Sequence, residues 1–131
     1  MARHLERESL QPALVLCSSA ARARQTLERL APALSGAAVE FEARLYSASA
    51  QELLERVREV PDDVESVLLI GHNPGLERLV LDLAAPGPER ERDGVTLPTG
   101  ALATLAFDAR WCDLAPRTAE LVGFVVPREL R

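Results

Sequence analysis

A histidine follows a short apolar run in the middle of the chain, at a position where ligands bind in many α/β proteins. Residues 67–70 read Val-Leu-Leu-Ile and predict a short strand buried on both faces. His72 comes next, and a helix follows, with Asn73 as its cap and Pro74 at its first position. At the carboxyl end of a strand, His72 can donate a hydrogen bond to a bound anion. The alternative is an ordinary turn histidine.

An arginine stands in a comparable place after an earlier strand. Residues 13–17 predict that strand, Ser18–Ser19 can cap the next helix, and Arg22 lies about one turn into it. A guanidinium fork matches the paired oxygens of a phosphate and keeps its charge at neutral pH. If the two strands are parallel, Arg22 and His72 share one edge of the sheet and suit a phosphate site. The alternative for Arg22 is a plain surface arginine.

The rest of the pattern predicts the frame that would position these two side chains. Alternation over Val39–Leu45 predicts a half-solvated strand near a sheet edge, and Ser49 with Glu52 forms a capping box that opens a helix. Strands at Leu102–Phe107 and Leu121–Val126 are predicted to be antiparallel neighbours. Helices alternate with strands over the first two-thirds, which predicts a three-layer α/β domain.

Composition narrows the class of protein. The length suits one domain over residues 1–131, and 47% hydrophobic with 27% charged residues is typical of a soluble globular chain. A net charge of -5 argues against a nucleic-acid partner. Cys17 and Cys112 form no metal-binding or redox motif, so we expect no metal and a reducing, cytoplasmic setting. No apolar run or leader segment indicates a membrane partner.

Several ordered stretches together resemble the histidine phosphatase superfamily, whose fold is phosphoglycerate mutase-like. The stretch LVLCSSAARARQT is similar to its second signature, and VLLIGHNPGL to its late histidine motif. RLYSAS, LPTGALATLAFD, W-x-DLAP and a closing VVP resemble the bacterial phosphohistidine phosphatase branch. The resemblance covers essentially the whole chain. It implies an α/β/α fold with a mostly parallel mixed sheet, and a hydrolase that removes phosphoryl groups from phosphorylated protein histidines, with no cofactor expected.

The resemblance also assigns roles to particular residues. By motif match, Arg22 is the second arginine and His72 the late histidine of the family's phosphate pocket, and both would clamp phosphoryl oxygens in catalysis. Asn73 is a further substrate-binding candidate beside His72. The other half of the pocket, an Arg-His pair after the family's first strand whose histidine is the nucleophile, has no counterpart. Arg3–His4 is predicted to lie within a helix over Ala2–Gln11. It is therefore not expected to take the place of the family's Arg-His pair.

A second departure from the wider superfamily concerns proton donation. Mutase-like and acid phosphatase branches carry an acidic donor near the position of Tyr46–Ala48, and no carboxylate occurs there in this chain. A donor matters most for a poor alkoxide leaving group, whereas phosphohistidine leaves as an imidazole and needs less help. The difference fits the phosphohistidine branch and would equally fit a degraded enzyme.

These departures give two expectations. The chain is expected to be an N-terminally incomplete phosphohistidine phosphatase-like domain without turnover, or alternatively a non-catalytic module that binds phosphate or phosphoprotein through Arg22 and His72. In the family, the first strand lies between the His72 strand and the strand at Leu102–Phe107. Its absence predicts an apolar groove beside His72, and self-association through the exposed strand edges.

Overall fold

The computed structural model describes residues 12–34, 36–85 and 102–125, and every structural statement below concerns those residues. The strands are β1 (Leu14–Ser18), β2 (Ala38–Glu42), β3 (Val67–Ile70), β4 (Leu102–Ala106) and β5 (Glu120–Val125), and the helices are α1 (Ala21–Leu30), α2 (Ala50–Arg58) and α3 (Gly75–Leu83). Short 3-10 turns occupy Ala31–Ala33, Ala43–Leu45 and Trp111–Asp113. No helix among the described residues is long and apolar enough to cross a membrane.

A three-stranded parallel sheet forms the centre of the fold, in the order β2-β1-β3. Leu14 aligns with Ala38 and Val67, so the three strands start together and end together. β1 is buried along its whole length because it has a strand on each side and a helical layer on each face. The predicted α/β class is therefore confirmed, and so is the edge position of β2.

Alternating side chains of β1 join the sheet to the helices on its two faces. Leu14 and Leu16 pack into the cluster that contains α2 and α3, whereas Val15 and Cys17 pack into the cluster beneath α1. This arrangement is the predicted three-layer packing. The predicted capping box is also present, since the Ser49 side chain accepts from the N–H of Glu52 and the Glu52 carboxylate accepts from the N–H of Ser49.

β4 and β5 pair antiparallel, as predicted, in a separate two-stranded sheet. Two hydrogen bonds attach the turn between these strands to the rest of the fold. The Trp111 indole donates to the carbonyl oxygen of Val64, before β3, at 2.7 Å, and Arg58 of α2 donates to the carbonyl oxygen of Leu114 at 2.7 Å. Ala119 forms a parallel bridge with Ala84 at the end of α3. The pair of strands is thus held beside the parallel sheet, and the described residues show no strand pairing between the two sheets.

A groove of about 900 Å³ separates β3 from β4. Its walls are mostly apolar and include Leu68, Leu69, Leu76, Leu79 and Leu105. Among the described strands β3 pairs with β1 alone, and β4 pairs with β5 alone. The expected groove is confirmed, although His72 itself does not line it. The prediction that β3 is buried on both faces is wrong, because three of its four residues are only half-buried.

Three local predictions differ from the structure. β2 ends at Glu42, and its apolar residues Val39 and Phe41 are 41% and 46% exposed. Glu42 is the one half-buried residue of the strand, and its carboxylate accepts hydrogen bonds from the buried Arg56 of α2. Helix α3 begins at Gly75, one residue later than predicted.

The start of α1 differs from prediction as well. Its cap position is Ala20, while Ser18 stays in β1, so the serine pair does not cap the helix. Near the chain termini, the predicted helix over Ala2–Gln11, with Arg3–His4, and the end of the last predicted strand at Val126 lie outside the described residues.

Candidate functional site

His72 lies at the carboxyl edge of the parallel sheet, two residues beyond β3. Its Nε2 is 2.8 Å from the Oγ of Ser18, the last residue of β1, which is fully buried. The register explains this contact, because Cys17 aligns with Ile70 and so brings the two strand ends side by side. The ring is half-buried, which leaves part of it open to solvent.

An aromatic side chain packs against the same ring. The Tyr46 and His72 rings meet edge to face, with centroids 5.2 Å apart and planes at 80°. Tyr46 is 61% exposed and follows the 3-10 turn after β2. Its loop lies close to the start of α3, since a Cβ added to Gly75 would overlap the carbonyl oxygen of Ala48. The site is therefore built where three loops converge, after β1, β2 and β3.

Arg22 occupies the first turn of α1, directly after β1, and is exposed. Its guanidinium makes no hydrogen bond or ion pair with any described residue. Arg24 is different, because its Nε donates to the carbonyl oxygen of Ser19 at 3.0 Å and its guanidinium stacks 4.5 Å from the centroid of the Phe41 ring. Arg22 and His72 thus follow adjacent parallel strands, at one edge of the sheet. Their convergence on a single anion stays a prediction.

Asn73 is exposed and helps to start α3. Its Oδ1 accepts a hydrogen bond from the N–H of Glu77 at 3.2 Å, which satisfies one of the free donors at the helix start. The predicted capping by Asn73 is present in this form, although Pro74 occupies the cap position. A role for Asn73 in binding substrate stays a prediction.

Cys17 lies next to Ser18, but its thiol is not available as a nucleophile. The side chain is fully buried, and burial raises the pKa of its thiol above 9.0. The thiol donates to the carbonyl oxygen of Ser18 at 3.3 Å. Since the thiolate is the reactive form, Cys17 serves the packing beneath the site. Within the described ranges, no group of three His, Cys, Asp or Glu side chains could hold a metal ion.

Sequence reasoning missed two residues of this site. The sequence pattern predicts Ser18 as a helix cap, and it indicates for Tyr46 only the lack of a carboxylate nearby. The alternation Leu14, Leu16, Ser18 was the available signal, because it puts the serine on an inward face at the end of a buried strand. The contact with His72 joins residues 54 positions apart, so it depends on strand register that the sequence pattern does not give.

Proteins of similar sequence occur in mycobacteria. An uncharacterized protein of Mycobacterium tuberculosis is 37% identical over an alignment of 118 residues, and the match covers 87% of this chain and 73% of that protein. An uncharacterized protein of Mycobacterium leprae is 35% identical over 119 residues, with shares of 87% and 71%. No family model matches the sequence.

Solved structures define the class to which this fold belongs. A proposed phosphohistidine phosphatase, SixA from Nakamurella multipartitia, superposes with a TM-score of 0.83 and 30% identity over 96% of this chain and 77% of its own. The chain therefore belongs to the histidine phosphatase superfamily.

Two other solved structures are also similar to the chain. A SixA protein from Agrobacterium tumefaciens, also a proposed phosphohistidine phosphatase, gives a TM-score of 0.76 at 28% identity, over 96% of this chain and 75% of its own. A protein histidine phosphatase SixA in complex with tungstate superposes with a TM-score of 0.78 and 24% identity, over 99% of this chain and 78% of its own. It has the same fold.

Proposed function

We propose that the carboxyl edge of the parallel sheet binds the phosphoryl group of a phosphorylated protein histidine, with Arg22 and His72 as its ligands and Asn73 beside them. One observation carries the proposal. Arg22, in the first turn of α1, and His72 lie shortly after adjacent parallel strands, in a fold shared with SixA, and no described residue pairs with the Arg22 guanidinium. An unpaired arginine at the carboxyl edge of a sheet suits an oxyanion.

Arg22 and His72 would make different interactions with a bound phosphoryl group. Arg22 offers a permanent positive charge and paired N–H donors, and His72 offers a ring N–H from a half-buried position that solvent screens less. Phosphoryl transfer depends mainly on positioning and on stabilising charge at the equatorial oxygens, so both contributions suit it. The exposed ring of Tyr46 borders the His72 side of the site.

Anion binding tests this proposal directly. Titration of the protein with vanadate, followed by calorimetry, is expected to show one site that Arg22→Ala weakens by about 1.5–3 kcal/mol, the usual worth of a charged hydrogen bond. Arg24→Ala is the matched control, because it removes the same charge from the same helix but belongs to an arginine already bonded to Ser19. Equal losses in both variants would mean general charge attraction and would contradict the proposal.

We also propose that residues 1–131 bind the phosphoryl group without releasing phosphate. Phosphoryl transfer through a covalent intermediate needs a nucleophile, and the sequence holds one histidine besides His72, namely His4. The domain is then a phosphohistidine phosphatase-like hydrolase by fold that lacks turnover in this chain, and the alternative is a non-catalytic module that binds phosphate or phosphoprotein. Incubation with a phosphohistidine protein is expected to give no free phosphate. Turnover that His4→Ala abolishes, or phosphoenzyme mapped to His4, would establish an active hydrolase instead.

Two further proposals concern the cellular compartment of the domain and its self-association. Free thiols at Cys17 and Cys112 support a reducing compartment such as the cytoplasm. The groove between β3 and β4 supports self-association, because each bordering strand pairs on one side only among the described residues, and apolar walls favour the docking of another strand.

A further inference from the structure

Ser18 has a hydroxyl group that is fully buried at the edge of the candidate site. Its Oγ accepts a hydrogen bond from the backbone N–H of Ala20 at 3.3 Å and lies 2.8 Å from Nε2 of His72. These are its two partners among the described residues. No exposed surface remains for a bonded water, so the hydroxyl hydrogen must be satisfied by one of these two groups.

These two contacts decide which group, the Ser18 hydroxyl or the His72 ring, donates the hydrogen bond between them. The N–H of Ala20 is a donor, so it occupies a lone pair of Oγ and accepts nothing. The hydroxyl hydrogen therefore has one acceptor, which is Nε2 of His72. A neutral imidazole that accepts at Nε2 carries its proton on Nδ1.

We propose that Ser18 is a positioning residue that holds neutral His72 with its proton on Nδ1, so that Nδ1–H is the donor offered to a bound oxyanion. No described residue hydrogen-bonds Nδ1. The edge-to-face contact with Tyr46 at 5.2 Å helps to keep the ring from rotating. The inference rests on the proposed function for its ligand, but the tautomer itself is independent of any ligand.

The fixed tautomer of His72 affects how the site binds an oxyanion. With the tautomer fixed by Ser18, neutral His72 already presents an N–H, and no additional proton is needed before an oxyanion binds. Without the hydroxyl, the ring is free to take either tautomer, and the form that carries its proton on Nε2 presents an acceptor at Nδ1. An acceptor repels the oxygens of a phosphoryl group.

The tautomer can be read by long-range proton–nitrogen NMR on uniformly ¹⁵N-labelled protein in alkaline buffer. A His4→Gln background leaves His72 as the only histidine. We expect a protonated Nδ1 in this parent, a loss of that preference in Ser18→Ala, and its recovery in Ser18→Thr, which restores a hydroxyl. Ser19→Ala is the matched control and is expected to behave as the parent. A proton on Nε2 in the parent, or an unchanged tautomer in Ser18→Ala, would overturn the proposal.

Vanadate titration of the same samples separates this inference from the proposed function. Ser18→Ala is expected to weaken binding between about twofold and tenfold, the range for one neutral hydrogen bond. If the parent binds no vanadate, the proposed function fails while the NMR result still decides the role of Ser18. If Ser18→Ala does not fold, the parent tautomer decides alone: a proton on Nδ1 supports the proposal, and a proton on Nε2 overturns it.

Discussion

Replacement of Arg56 by methionine is expected to destabilise the fold by about 3 kcal/mol. Arg56 lies on α2 and donates from Nε and Nη2 to both carboxylate oxygens of Glu42, at 2.7–2.9 Å. The two side chains are 10% and 17% exposed, and the hydrogen bond to Glu42 raises the pKa of the Arg56 guanidinium further above its ordinary value. The pair joins the end of β2 to the helix behind it.

The magnitude follows from what the substitution leaves behind. Removal of one partner of a buried ion pair costs about 3–5 kcal/mol, because the other charge stays buried without compensation. In this structure Nε of Arg44 lies 3.9 Å from Oε1 of Glu42 and would replace part of the lost charge, which favours the lower end. For a domain of this size the change lowers the melting temperature by about 10 °C.

Urea denaturation of matched variants measures this effect. Arg78→Met is the control, since its i,i+4 pair with Asp82 at 3.2 Å joins side chains that are 70% and 40% exposed, and its loss is expected to cost less than about 0.5 kcal/mol. Arg56→Met combined with Glu42→Leu is expected to recover most of the loss, because no buried charge remains. Equal costs for Arg56→Met and Arg78→Met, or no recovery in the double variant, would refute the reasoning.

Three other predictions follow from local features. Gly75→Ala is expected to cost about 1–3 kcal/mol in denaturation, because its Cβ would overlap the carbonyl oxygen of Ala48; a neutral result would mean that the loop moves freely. A hydrogen bond from the N–H of Ser49 lowers the pKa of Glu52 below its ordinary 4.5, so the stability it provides is complete above that value and lost as the pH falls through the lowered pKa. Acid titration of Glu52→Gln is therefore expected to show a shallower loss of stability than the parent, and equal slopes would contradict this assignment. An apolar peptide able to form an extended strand is expected to raise the melting temperature and reduce self-association by docking in the groove, whereas a stable monomer indifferent to it would contradict that use of the groove.

Much of the arrangement of strands and helices could be predicted, because each sequence pattern that indicates it spans only a few neighbouring residues. The apolar run at 67–70 and the capping box of Ser49 with Glu52 each lie within a few residues, and the structure contains both. The placement of His72 followed from the strand before it and the helix after it. The fold class followed in the same way, from the alternation of helices and strands.

Features that depend on how distant segments meet could not be predicted. Alternation in β2 separated apolar from acidic residues, but it did not show that the acidic face would turn toward Arg56 and leave Phe41 exposed. The bond between Ser18 and His72 required the register of β1 with β3. The groove was expected only through the family resemblance, because no local pattern shows which strand edges lack a partner.

The central claim is that Arg22 and His72 bind one oxyanion between them. A crystal structure of the protein grown with vanadate tests it most directly. The account predicts a single vanadate at the carboxyl edge of the parallel sheet, with its oxygens about 3 Å from the Arg22 guanidinium and from Nδ1 of His72. Vanadate bound by only one of these residues, or bound elsewhere while this edge stays empty, would contradict the claim.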